Sequence, residues 1–169
     1  MSFPSNNTYS SAVQTAININ PNVAAAGLEY DDSFSDVVSW IATTAIPFGA
    51  FVWESSDGFC SVPALTGSVT GSGAALRGIA MIDHQKASGE GYDIGDSVRV
   101  MRRGRIWALA DPAAAIVMGA TLFVRFAAGA GGTVLGAFAA TADTGTASTP
   151  VSLTCFHGGV TGFVALDVG

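Results

Sequence analysis

Three groups of residues in this chain have side chains that could do chemistry. Cys155 and His157 stand two apart. On an extended strand, i and i+2 side chains share a face, so the pair could in principle form a thiolate–imidazole couple. A buried cysteine beside a turn histidine satisfies the same sequence and is the preferred reading. Asp83, His84, Glu90, Asp93 and Asp96 crowd a short stretch. Carboxylates in such number could bind a hard cation such as calcium. Their spacing matches no recognised loop, so a solvated acidic loop is expected. Arg102-Arg103-Gly104-Arg105 is the densest charge cluster. Arginine forks grip carboxylates bidentately, so Arg102, Arg103 and Arg105 are candidate contacts to a protein partner. A charged, solvent-facing turn is the alternative.

The machinery of catalysis is thin. No Gly-x-Ser-x-Gly elbow, Gly-Lys-Ser phosphate loop or His-Glu-x-x-His helix occurs. No catalytic residue, metal or cofactor is expected, and the chain reads as a non-enzyme. Cys60 and Cys155 are too far apart for a zinc or redox motif, and buried thiols are the default for them in a reducing compartment.

Short strands separated by turns are what would position these groups. Asp36 to Thr43 carries Val37, Val38, Trp40 and Ile41, and residues 49–54 read as a second strand. Ser55-Ser-Asp-Gly58 has turn chemistry. Residues 78–82 form a short apolar strand. Residues 66–75 and 83–92 read as loops. Across 97–109, Val98 and Val100 alternate with Ser97, Arg99 and Met101, and beyond Gly104 Ile106 and Ala108 alternate with Arg105, Trp107 and Leu109. That pattern predicts a hairpin turning at Arg-Gly, with the arginines at its tip. Residues 120–126 and 133–138 pair around a Gly-rich turn at 129–132. Residues 151–156 and 160–168 close the chain around Gly158-Gly159. Asp111-Pro112 could open a short helix that Gly119 would stop.

Residues 1–30 are rich in Asn, Ser, Thr and Ala, with little periodicity. They read as an extended arm that is ordered only against a partner, with a frayed terminus as the alternative. The expected organisation is an arm at 1–30 and one β-barrel-like domain at 31–169. The fold class is mainly β: a compact antiparallel β-barrel or sandwich with an extended N-terminal arm.

Composition points away from most solitary roles. Of 169 residues, 49% are hydrophobic but only 12% are charged, about half the usual charged share. So little charge suits a subunit that hides surface in an assembly, though a Ser/Thr/Gly-rich monomer surface would also serve. The net charge of −6 argues against direct nucleic-acid binding, which needs a basic face. All 7 basic residues fall between Arg77 and Arg125, while residues 1–76 hold only acidic ones. That asymmetry suits copies that meet head to side with complementary fields. The N-terminal stretch lacks a basic start and an apolar core, and no apolar run reaches membrane-spanning length. A product of the cytosol with no membrane partner is expected.

Three stretches resemble the structural cement (capsid decoration) family of tailed bacteriophages. They are Val37-Val-Ser-Trp-Ile-Ala-Thr-Thr-Ala-Ile-Pro-Phe-Gly-Ala50, then Gly91-Tyr-Asp-Ile-Gly-Asp-Ser-Val-Arg-Val-Met-Arg-Arg-Gly-Arg-Ile-Trp107, and Gly136-Ala-Phe-Ala-Ala-Thr-Ala-Asp143 with the closing Gly158-Gly-Val-Thr-Gly-Phe-Val-Ala-Leu166. Cys155-Phe-His157 departs from the small hydroxyl residues expected there. The resemblance implies a small β-barrel, trimeric, on the outside of the phage head. It would be made in the bacterial cytoplasm and bound where capsomers of the major capsid protein meet, holding the expanded shell. Phe3, Pro4 and Tyr9 of the arm join the arginines as candidate partner contacts. Trp40, Phe48 and Trp107 are candidate subunit-interface residues. Two other readings compete: another virion part (tail tube, connector or fibre base), and a glycan-binding or hydrolytic β-domain using the tryptophans as a platform.

Overall fold

The computed structural model describes residues 25–30, 34–62, 77–86, 91–110, 116–129, 132–142, 145–148, 153–160 and 162–168. Among them the regular structure is all strand. The strands are β1 (Asp36–Ala42), β2 (Ile46–Pro47), β3 (Phe51–Ser56), β4 (Phe59–Ser61), β5 (Arg77–Ala80), β6 (Gly91–Tyr92) and β7 (Ser97–Leu109), followed by β8 (Phe123–Arg125), β9 (Phe138–Ala139), β10 (Thr146–Ser148), β11 (Leu153–Val160) and β12 (Phe163–Val168).

Five strands close on themselves. The order β1-β4-β3-β5-β7 returns to β1 through a direct β7–β1 pairing. Closure removes the unpaired edges that an open sheet of this size would expose. The mainly-β expectation holds, with one refinement: β1 and β4 run parallel, while the other pairs of the ring are antiparallel. The outer end of β7 carries β12, and β12 carries β11. β10-β8-β9 and β2-β6 form two small accessory sheets.

β7 is where the structure departs most from the sequence pattern. Residues 97–109 form one strand of 13 residues, not a hairpin. The alternation is real: Val98, Val100, Ile106 and Ala108 are all fully buried. The chain does not reverse at Arg-Gly because each half already has a partner on the same course. Met101 to Ser97 pair with Val37 to Ile41 of β1, and Gly104 to Leu109 pair with Val168 to Phe163 of β12. The register with β1 slips by one residue at the exchange, where Val37 faces Met101 but Asp36 faces Arg103. Arg102 is the extra residue of a bulge, a device that bends a strand. Gly104 follows at φ 123°, a value that glycine takes without strain. The glycine therefore bends β7 where a turn was expected.

Residues 25–30 run along the same strand. The Gly27 amide donates to the Trp107 carbonyl (2.7 Å), the Trp107 amide to Leu28 (2.8 Å) and the Tyr30 amide to Arg105 (2.8 Å). Gly27 sits at φ 78°, and a Cβ there would lie 2.5 Å from the Ile82 amide.

Two cores share the wall of the barrel. The interior holds Trp40, Ala42, Val52, Cys60, Ala80, Val98 and Val100, with Ile46, Phe48 and Tyr92 from β2–β6 and its connection. The outer faces of β3, β5 and β7 present Phe51, Ile79 and Met101, which stand in register with one another. They are covered by Ile106, Ala108, Val164, Leu166, Leu122, Val124 and Phe138. β3, β5 and β7 are thus buried on both sides around these residues, while β1 and β4 keep an exposed outer face at Ile41 and Phe59. Phe51 and Phe138 meet edge to face, with centroids 6.2 Å apart at 87°. That geometry is favoured by the ring quadrupoles.

Cys60 lies in the interior and Cys155 in the outer core, both buried and neither in a disulfide. Burial pushes the Cys60 thiol up to about 11, since the thiolate is penalised in an apolar site. Neither thiol should react with an aqueous thiol reagent at pH ~8 in the native protein, and both should react on unfolding. Rapid native labelling would contradict these placements.

Candidate assembly surfaces

The arginines lie along a strand rather than at a loop tip. Arg103, Arg105 and Trp107 follow one another at two-residue spacing on the face of β7 opposite buried Ile106 and Ala108. Arg103 is exposed and makes no ion pair among the described residues. Arg102 reaches Asp36 at 3.9 Å and Arg105 reaches Asp167 at 3.6 Å. Both pairs are open to solvent, where such contacts contribute little.

The aromatic candidates separate. Trp40 and Phe48 are each only 6% exposed, inside the barrel, with Phe48 packed edge to face on Tyr92 at 5.2 Å. Their surface is consumed within one subunit, so they leave the list of interface residues and join the core. Trp107 is half-buried and packs on Tyr30 (5.4 Å, tilted 48°). Phe3, Pro4 and Tyr9 lie outside the described residues. The sequence reading passed over Tyr30 (39% exposed) and Phe34 (81%). They join Trp107, Arg103 and Arg105 through the strand-like contact of residues 25–30 and through Ser35, which approaches Gly104.

A second surface lies at the other end of β1. Ile41 and Phe59 are neighbours in register and both are exposed. Ile94, 73% exposed, is in a turn whose Gly95 amide donates to the Ala42 carbonyl at 2.8 Å. Asp57 and Asp93 flank these three. Exposed singles such as Ile94 carry no sequence signal, because only the fold brings residues 41, 59 and 94 together.

The described residues of the other two groups take part in ordinary structural contacts. The register of β11 against β12 shifts between Cys155 and His157, and the His157 side chain lies outside what the structure describes. In the acidic stretch the Lys86 ammonium hydrogen-bonds Asp96 and stands 3.6 Å from Asp93. It also lies 5.8 Å from the Tyr92 ring. Among the described residues no group of three or more His, Cys, Asp or Glu could hold a metal. Glu90 lies outside them.

Asp96 also accepts the Asp93 amide at 2.6 Å. The Lys86 hydrogen bond, then this amide, hold its carboxyl below the ordinary carboxylate value. A depressed carboxyl contributes stability above its unfolded value and loses it as pH falls through the folded one. Asp96→Asn should therefore melt below wild type near neutrality, and the gap should close towards pH ~2. A gap that persists in acid would contradict this pairing.

The fold is a closed β-barrel with a second layer, and the surfaces above carry its exposed aromatic, aliphatic and charged residues. A family model described as structural cement protein (E217 gp24/Pam3 gp6) matches residues 13–166, and the chain belongs to this phage structural cement family. A chain of the structure titled "The capsid of Myoviridae Phage XM1" is similar in fold, with a TM-score of 0.66 at 14% identity over 86% of this chain and 89% of that one. A weaker likeness, TM-score 0.43 at 14% identity over 80% of this chain and 95% of that one, is to the head fiber gp8.5 N base of bacteriophage phi29. No curated protein sequence matches.

Proposed function

We propose that this protein binds the outside of the phage head, between capsomers of the major capsid protein, and stabilises the expanded shell as a homo-oligomer. The observation that carries this reading is the family match across residues 13–166. The structure is compatible with the role. The five-stranded barrel is closed, with β3, β5 and β7 packed on both faces, so the ring itself can bear load without an open edge. Many identical copies turn modest individual contacts into strong reinforcement. The function is therefore one of binding, with no chemical step.

Co-sedimentation with expanded capsids that lack the protein is the test. Saturable binding, absent or weaker on unexpanded shells, is expected at physiological salt. Failure to bind the cognate expanded shell would defeat the proposal.

A further inference from the structure

The two exposed surfaces lie at opposite ends of β1. Asp36 stands beside Arg103 at one end, and Ile41 beside Phe59 at the other. Five strand steps separate them, about 17 Å at the usual rise. They cannot meet within one subunit, but they can meet between two copies. We propose that the Tyr30–Phe34–Trp107 face, with Arg103, docks on the Ile41–Phe59–Ile94 end of a second copy, so that subunits join head to tail. This rests on the homo-oligomer reading and adds which surfaces make it.

Three observations favour a second copy as the occupant. The surfaces are chemically matched: one presents the exposed Phe34 and Tyr30 beside the half-buried Trp107, the other the exposed Ile41, Phe59 and Ile94, and each has charged residues beside it. Burying both removes the apolar patches together. The rims are complementary at the position that matters. Arg103 makes no ion pair among the described residues, while the other end carries Asp57, exposed and two residues before Phe59, and Asp93, whose side chain is 91% exposed and stands 3.6 Å from Lys86. Asp36 and Asp167 lie beside the arginines and are engaged by Arg102 and Arg105, so Arg103 is the cation left to offer.

The third argument is from symmetry. The surfaces differ, so the contact is heterologous: each subunit gives one surface and receives the other. Such contacts close into rings when the rotation allows. A two-fold contact of the aromatic face with itself would set Arg103 near its own copy, which like-charge repulsion disfavours. Aromatic and arginine side chains are also the types enriched at interface centres.

Mixing two variants tests the pairing. Phe34→Ser with Arg103→Glu disables the first surface, and Ile41→Ser with Ile94→Lys disables the second. Each variant keeps the other surface intact, and all four side chains are exposed, so each should fold, with a midpoint below wild type only by what the lost association contributed. Should a double variant melt early, the single changes Arg103→Glu and Ile94→Lys carry the same test.

Mass is read by sedimentation equilibrium at physiological salt. Wild type should be an oligomer. Each variant alone should be monomeric, with association weakened about 30-fold or more, as for loss of a central anchor. The 1:1 mixture should form a heterodimer and stop there, because one good contact remains. A variant that keeps the wild-type mass overturns the proposal, as does a mixture that stays monomeric. A variant that oligomerises normally but no longer sediments with capsids would give that surface to the capsid protein instead, and overturns it too. A monomeric wild type overturns this inference and the homo-oligomer reading together, while shell binding, measured separately, stands or falls by itself.

Discussion

Phe138→Ala should lower the melting temperature by about 10 °C, among the largest effects expected of a single truncation in this protein. Phe138 is fully buried on β9, where it meets Phe51 on the outer face of the barrel. Removing a buried phenylalanine ring costs about 3–5 kcal/mol, because the cavity collapses only in part. For a chain of this size each kcal/mol moves the midpoint by about 2–4 °C. Met118→Ala is the matched control, since at 73% exposure, away from both proposed surfaces, its change should stay within about 0.5 kcal/mol. Comparable small shifts for both would mean that the outer layer does not pack on the barrel wall as described.

Gly78→Ala should cost about 3 kcal/mol, far more than a single methyl usually does. A Cβ at Gly78 would lie 2.3 Å from the Met101 carbonyl oxygen and 2.6 Å from a Val100 methyl. The obstacle is backbone of the neighbouring wall strand, which cannot swing aside, and overpacking of this kind strains a core by about 1–3 kcal/mol. Gly95→Ala separates sterics from backbone strain. Gly95 has φ 90° but open space around its Cβ position, so only the conformational penalty of about 1–2 kcal/mol applies. Chemical denaturation of the two variants measures the difference. A Gly78 variant no worse than the Gly95 variant would contradict the close approach of β5 to β7.

The wall strands explain how much of the fold could be read in advance. β1, β3, β5 and β12 were legible as β-branched and aromatic runs bounded by turn residues. Phe51-Val52 and Ile79-Ala80 are buried on both faces. Such strands lose the two-residue alternation that would tell an inside from an outside, so the second core had no signature. β4 has only three residues, too few for a pattern, and it follows at once on the Asp57-Gly58 turn. The expected hairpin at Arg103-Gly104 failed for a tertiary reason. β7 exchanges β1 for β12 at that point, and a partner exchange leaves the same alternation as a turn. The expected turn at 129–132 does close, with Gly129 and Gly132 exchanging amide hydrogen bonds at 3.0 and 3.3 Å.

The candidate surfaces were legible only in part. Arg103 and Trp107 could be picked from residue type, because arginine and tryptophan stand out in a chain with so few charges and aromatics. Trp40 and Phe48 could not be separated from them by type, since a large ring serves a core and an interface equally well. Phe34, Ile41, Phe59 and Ile94 are unremarkable in the chain and become a pattern only through register and exposure. The family assignment was carried by motif resemblance around residues 37–50 and 91–107, which periodicity alone does not supply. Each motif encodes one wall strand, β1 or β7, and one strand of the small β2–β6 sheet.

The measurement that bears most directly on the central claim is the heat resistance of expanded capsids with and without the protein. Empty expanded shells would be saturated with the purified protein, heated in steps, and scored for intact particles by sedimentation and electron microscopy. The account predicts a disruption temperature that rises with occupancy and levels off at saturation. Capsids that bind the protein to saturation yet break at the same temperature as bare shells would contradict it, and would reduce the protein to a passenger on the head surface.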